Sequence, residues 1–268
     1  MRIVNLLIIT ILPSLILSCI KPIAVSPTPT IDVIQTISND LNFQLECGGR
    51  LPNSNCHKKV EEYIVRILNQ NHWKVEEQLF TRNGHKGINI IGRYGNGDQP
   101  IIIGAHYDTR LTADRDPDPD KRMQPMPGAN DGASGVAVLL QLAREIPSYF
   151  NENQVAIWLV FFDLEDNGDY ESWDWILGST EFVNQLTITP KVAVVVDMVG
   201  DKDLNLYYDG NSDPTVQQSI WSVASRLGYD KIFIPKIKYY MIDDHTPFLQ
   251  KGIHAVDIID FDYPYWHT

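Results

Sequence analysis

The chain is predicted to fold as an α/β three-layer sandwich, with a mixed, mainly parallel central sheet flanked by helices. Three observations predict it. Strand-like and helix-like segments alternate along the chain, the pattern that builds βαβ units rather than bundles or β-sandwiches. Three of the strand-like segments (101–105, 155–162 and 192–196) are continuous apolar runs, as expected of strands covered on both faces. Each of these runs stops at acidic residues or histidine: His106 and Asp108, then Glu165 and Asp166, then Asp197. Those residues therefore collect at the carboxyl edge of the sheet, where open α/β sheets bind ligands.

Taken in order, the chain opens with Arg2 and an apolar run over 3–17, broken by Asn5, Thr10, Pro13 and Ser14. Its length suits a signal peptide at 1–18 better than a membrane span. The run ends Leu17-Ser18-Cys19, similar to the lipobox of bacterial lipoproteins, so Cys19 is the expected lipidation site; an ordinary cleaved signal is the alternative. Residues 19–30 carry Pro, Ser and Thr and read as a tether, and 31–268 as a single domain. We therefore expect an exported protein, held by a lipid anchor on the outer side of a membrane. Cys47 and Cys56 are the other two cysteines. Export and the turn-rich segment between them permit a disulfide, with two free thiols as the alternative. The formal charge of −12 argues against a nucleic-acid partner, which requires a basic face.

Residues 31–44 and 57–71 are expected to be helices, the second with Val60, Tyr63, Ile64, Ile67 and Leu68 at helical spacing. Residues 73–80 and 88–94 flank Asn83-Gly84 and read as an edge hairpin. The buried strand 101–105 follows, then a polar loop in which 114–120, rich in Asp and Pro, reads as solvated. Gly128 to Gly135 opens a helix over 132–146. Further helices are expected at 179–185, 214–227 and 244–251, with Asp243 or Asp244 near the cap of the last. Further strands are expected at 204–208, 232–237 and 255–259.

A single Asp after a strand is usually a turn or cap residue. His106, Asp108, Asp131, Glu165, Asp166 and Asp197 at one sheet edge are different. Carboxylates crowded there repel one another unless they hold protons or surround a cation. With histidine among them, nitrogen and oxygen ligands for a metal are the reading.

Several segments carry a family resemblance: His106-Tyr107-Asp108, Gly128-Ala129-Asn130-Asp131-Gly132-Ala133-Ser134-Gly135, Phe162-Asp163-Leu164-Glu165-Asp166, Asp197-Met198-Val199-Gly200, Asp243-Asp244-His245-Thr246-Pro247-Phe248 and Trp266-His267-Thr268. Their identity and order resemble the M28 zinc-peptidase superfamily, which holds aminopeptidases and glutaminyl-peptide cyclotransferases. The resemblance implies a zinc exopeptidase-like fold and Zn2+ as cofactor. It implies Asp131, Asp166 and His267 as zinc ligands and Glu165 as general acid/base. It implies Asp108 as the carboxylate behind His106, and His106 with Asp197 as ligands of a second zinc in the aminopeptidase branch. Many relatives carry Glu where this chain has Asp166.

The segment Asp243-Asp244-His245 and the indole of Trp266 resemble the cyclotransferase branch. There Asp197 and Asp243 would form an acidic network beside Glu165, and Trp266 with Trp173 would line the substrate pocket. The reaction so implied turns an N-terminal Gln into pyroglutamate with loss of ammonia, on a peptide or protein N-terminus. The alternatives are a two-zinc aminopeptidase and a binding homologue without catalysis. The superfamily usually continues past the position of His267 into a closing helix, so a C-terminally truncated domain is also expected. Nothing in the sequence bears on oligomeric state.

Overall fold

The computed structural model describes residues 31–153 and 155–268. The expected signal segment, Cys19 and the tether lie outside the described residues. Among those residues no helix is long and apolar enough to cross a membrane.

Helix α1 (Ile31–Leu45) leads to a loop in which Cys47 and Cys56 are joined as a disulfide, their Cα atoms 5.7 Å apart. Helix α2 (Asn55–Gln70) starts two residues before the expected point because Ser54 caps it, its hydroxyl accepting the His57 N–H at 3.1 Å. The apolar positions read at helical spacing are its buried face. Strands β1 (Lys74–Arg82) and β2 (His85–Gly95) form the hairpin. Asn83 and Gly84 both take positive φ there, 50° and 86°, the backbone twist that suits a two-residue hairpin turn.

The central sheet runs β1-β2-β4-β3-β5-β8. Strand β2 is antiparallel to β4 (Ala156–Phe162), while β3 (Ile101–His106), β4, β5 (Val192–Asp197) and β8 (Ala255–Ile259) are mutually parallel. The expected mixed, mainly parallel sheet is therefore present. Helix α3 (Ala133–Tyr149), with α1 and α2, covers one face. Helices α4 (Leu177–Gln185) and α6 (Thr246–Gln250) cover the other, where Phe162, Phe182 and Phe248 meet edge to face.

Strands β6 (Leu206–Asp209) and β7 (Phe233–Tyr239) do not extend this sheet but form a parallel pair of their own, linked by helix α5 (Pro214–Arg226). Pro235 lacks an N–H, which β7 tolerates because β6 is its one ladder partner among the described residues. The cap position of α6 is His245, with Asp244 and Asp243 just before it as expected; Asp243 closes the turn through its carbonyl, which accepts the Thr246 N–H at 2.7 Å.

Candidate metal centre

Parallel strands align their carboxyl ends, and the fold uses that alignment. His106 is the last residue of β3 and Asp197 the last of β5, while Glu165 and Asp166 follow β4 within a short turn. Asp131 enters just before α3, through Gly132 at φ 74°. A Cβ at Gly132 would lie 2.9 Å from the His106 ring, so glycine lets the α3 entry approach that histidine. His267 arrives from the C-terminal segment and is buried.

The side chains form two groups that share Asp131. In the first, His106 Nε2 lies 3.1 Å from Asp131 Oδ1 and 3.3 Å from Asp197 Oδ1. In the second, His267 Nε2 lies 3.0 Å from Asp166 Oδ1 and 3.6 Å from Asp131 Oδ2. Both Nε2 atoms are buried and neither makes a hydrogen bond. Zinc with bonds near 2.0 Å sets tetrahedral ligands about 3.3 Å apart. The spacing, the orphaned nitrogens and the nitrogen/oxygen donor set therefore fit zinc, and each trio could hold one ion.

Asp108 is fully buried behind the first group. Its carboxylate lies 3.4 Å from His106 Nδ1 and accepts the backbone N–H of Glu165 at 3.1 Å and of Asp166 at 3.4 Å. One carboxylate thus orients the imidazole and holds the turn that carries Glu165.

The family model for peptidase family M28 matches residues 89–268. The chain belongs to peptidase family M28. Three solved structures of similar chains agree with the placement. A zinc-dependent exopeptidase from Parabacteroides distasonis is 31% identical, covering 88% of each chain at a TM-score of 0.79. A Tannerella forsythia glutaminyl cyclase is 30% identical over 90% of each chain at 0.80. A leucine aminopeptidase precursor from Bacteroides thetaiotaomicron is 31% identical, covering 90% of this chain and 89% of that one at 0.80. The protein is thus an M28 zinc enzyme, and glutaminyl cyclases and aminopeptidases both stand among the chains it resembles.

In this M28 chain the carboxyl groups titrate apart. Burial raises Glu165 well above the usual carboxylate range; His106 opposes this, and Asp166, Asp243 and Asp244 add to it. Burial also lifts Asp197, to about 7, against the pull of His106. Asp166 rises to about 6 through burial and the neighbouring Asp131. Asp131 itself is held low: burial would raise it, but the close approach and charge of His106, with the charges of His267 and Arg50, outweigh that. Acids perturbed in this way cluster at functional sites.

Above these groups lies a cleft of about 190 Å3, floored by Asp131, Glu165, Asp166, Asp197 and Asp243 and walled by Trp175, Ile242, Phe261 and Trp266. The Trp266 ring stacks on His267 with centroids 3.8 Å apart. The expectation for Trp173 fails. Its indole stacks on His85 at 3.5 Å and packs by Phe80, Leu164 and Leu177, and the second indole of the cleft is Trp175.

Four supporting residues escaped the sequence reading. Arg50, fully buried, donates to the backbone carbonyls of Tyr107, Pro127, Gly128 and Asp131. Asn130 accepts the Gly200 N–H at 2.6 Å and ties the α3 entry to the loop after Asp197. Arg110 and Asp114 pack behind Asp166 and His267, although Asp114 belongs to the stretch read as solvated. That description does hold for its exposed end, Asp118 and Asp120.

Proposed function

We propose that this enzyme is a glutaminyl-peptide cyclotransferase, converting an N-terminal Gln to pyroglutamate with release of ammonia. The observation that carries the reading is the cleft: small, walled by two indoles and Phe261, and floored by Glu165, Asp197 and Asp243 together. Flat aromatic walls suit the compact side chain and amide of glutamine better than a broad range of residues. The acidic floor suits a free α-amine.

Asp131, Asp166 and His267 would hold the zinc. When bound, zinc supplies Lewis-acid polarisation of the γ-carbonyl. Glu165 accepts a proton from the α-amine as its nitrogen bonds to the side-chain carbonyl carbon, Cδ, and returns that proton to the nitrogen of the breaking Cδ–N amide bond, so that ammonia leaves. Its raised pKa lets one group act first as base and then as acid. Asp197 and Asp243 lie beside it as the acidic network around the amide. The indoles of Trp266 and Trp175 hold the substrate chain in the folded shape that ring closure needs.

A second reading has its own support. His106, Asp131 and Asp197 assemble as another potential ligand trio, which favours a two-zinc aminopeptidase in which Glu165 deprotonates a water that attacks the first peptide bond. Incubation with Gln-naphthylamide and Leu-naphthylamide, read by mass spectrometry, separates the two. The cyclotransferase removes ammonia from the Gln compound and leaves the Leu compound intact. Free naphthylamine from the Leu compound, with two zincs per chain by metal analysis, overturns the proposal in favour of the peptidase.

We also propose export and anchoring through lipidated Cys19, on the strength of the Leu17-Ser18-Cys19 segment. Incorporation of labelled fatty acid into the intact protein, and its loss in Cys19→Ala, is the expected result.

A further inference from the structure

His267 sits in a turn outside any helix or strand. His267 is buried, and neither ring nitrogen has a hydrogen-bond partner. Nε2 faces Asp166 Oδ1 at 3.0 Å, while Nδ1 faces Asp114 Oδ1 at 3.5 Å.

Asp114 is not free to drift. The Arg110 guanidinium grips it with two donors, Nε to Oδ1 at 2.8 Å and Nη2 to Oδ2 at 2.7 Å. This parallel fork is the most directional contact available to a carboxylate. Arg110 is itself anchored to the other ligand. Its backbone N–H donates to Asp166 Oδ2 at 2.8 Å, which leaves Oδ1 for the site, and Nη1 donates to the Asp166 carbonyl at 2.8 Å and the Gly168 carbonyl at 3.1 Å. The guanidinium plane lies over Tyr170 at 4.6 Å and the cleft indole Trp175 at 5.0 Å. The next residue continues the contact: the Arg115 N–H donates to the His267 carbonyl at 3.1 Å, and its guanidinium lies 5.5 Å from the Trp266 ring.

We propose that Arg110 and Asp114 are positioning residues for the zinc: with zinc on Nε2, the Nδ1–H of His267 would close on the facing Asp114 carboxylate, and Arg110 couples that carboxylate to Asp166, so one clasp sets two ligands from opposite sides. The arrangement fixes the imidazole tautomer, with the proton on Nδ1 and the lone pair on Nε2, and raises the basicity of the ligating nitrogen. The inference rests on the reading of Asp131, Asp166 and His267 as zinc ligands.

The test is zinc affinity by competition with a chromophoric chelator, on the full chain and its variants, with melting of the metal-free protein as a parallel measurement. Asp114→Ala should weaken zinc binding by about 10- to 100-fold, the usual effect of removing an outer carboxylate. Asp114→Asn, which keeps an acceptor for Nδ1, should recover part of that loss, and Arg110→Ala should resemble Asp114→Ala. Metal-free melting should fall in the Asp114 variants by less than the zinc affinity does, since Asp114 is part-exposed while the Arg110 it leaves behind keeps its bonds to the Asp166 and Gly168 carbonyls. Wild-type affinity in Asp114→Ala overturns the inference, as does a loss matched by an equal drop in metal-free stability. Asp131→Asn separates this from failure of the underlying reading: if wild type and Asp131→Asn bind zinc alike, the ligand assignment itself is wrong.

Discussion

Asp131 divides its carboxylate between two histidines, Oδ1 lying 3.1 Å from His106 Nε2 and Oδ2 3.6 Å from His267 Nε2. A bridging carboxylate serves either a one-zinc or a two-zinc enzyme. The choice between them therefore rests on the groups around Asp131, chiefly Glu165, Asp197 and the aromatic walls.

Glu165 is assigned proton transfer rather than metal binding. Glu165→Gln keeps its shape and removes its basicity, so turnover of Gln-naphthylamide should fall by about 100- to 10,000-fold. Metal analysis of the same preparation should show unchanged zinc content; a loss of zinc in parallel would make Glu165 a ligand.

The two indoles near the site should behave oppositely. Trp266 walls the cleft and stacks on His267, so Trp266→Ala should raise KM by up to about 10-fold, in line with an aromatic contact worth about 0.5–1.5 kcal/mol. Trp173 stacks on His85 outside the cleft. Trp173→Ala should leave kcat and KM near wild type and lower the urea midpoint instead.

His57 carries a pH signature. Its ring is buried, with Nε2 2.7 Å from Asp163 Oδ1 and Nδ1 3.0 Å from Glu61 Oε1. Burial would lower its pKa, but the bonds to Asp163 and Glu61 prevail and raise it from 6.5 to about 10. A group that holds its proton more tightly when folded contributes its full stability below the unfolded pKa and loses it as pH climbs through the folded one. The stability gap between wild type and His57→Gln should be widest below pH 6.5 and close toward pH 10, as read by urea unfolding across that range. A gap that widens with pH would contradict the assignment.

Arg50 should matter to stability more than any other supporting side chain. Its guanidinium stays charged at neutral pH although burial lowers its pKa to about 10. Arg50→Leu removes the shared donor of four backbone carbonyls, three of them in buried contacts, and should cost about 3–5 kcal/mol in urea unfolding, as when one member of a buried charged set is deleted. A loss below about 1 kcal/mol would mean that water replaces the guanidinium there.

The strands that build the site were legible because continuous apolar runs are a local signal, and the polar residue that ends each run marks the strand's end. Strands β6 and β7 were legible as strands but not as a separate pair, because ladder partners are chosen by packing and not by propensity. The short distance in sequence between Trp173 and Trp175 hides their separation in space. Their loop is irregular, with positive φ at Ser172 (68°) and Ile176 (55°), so no period tells which indole faces the cleft.

By itself the sequence determined the fold class, the sheet edge at which the chemistry gathers and the acidic and histidine residues available there, since these follow from periodicity and residue type. Only the tertiary structure decided that Asp131 lies between His106 and His267, that Arg110 holds Asp114 against His267, and that Arg50 supports the loops beneath. The physical reason is that these contacts join segments far apart in the chain. Their partners are set by how buried layers pack and by which backbone carbonyls are left without donors, and neither leaves a local pattern to read.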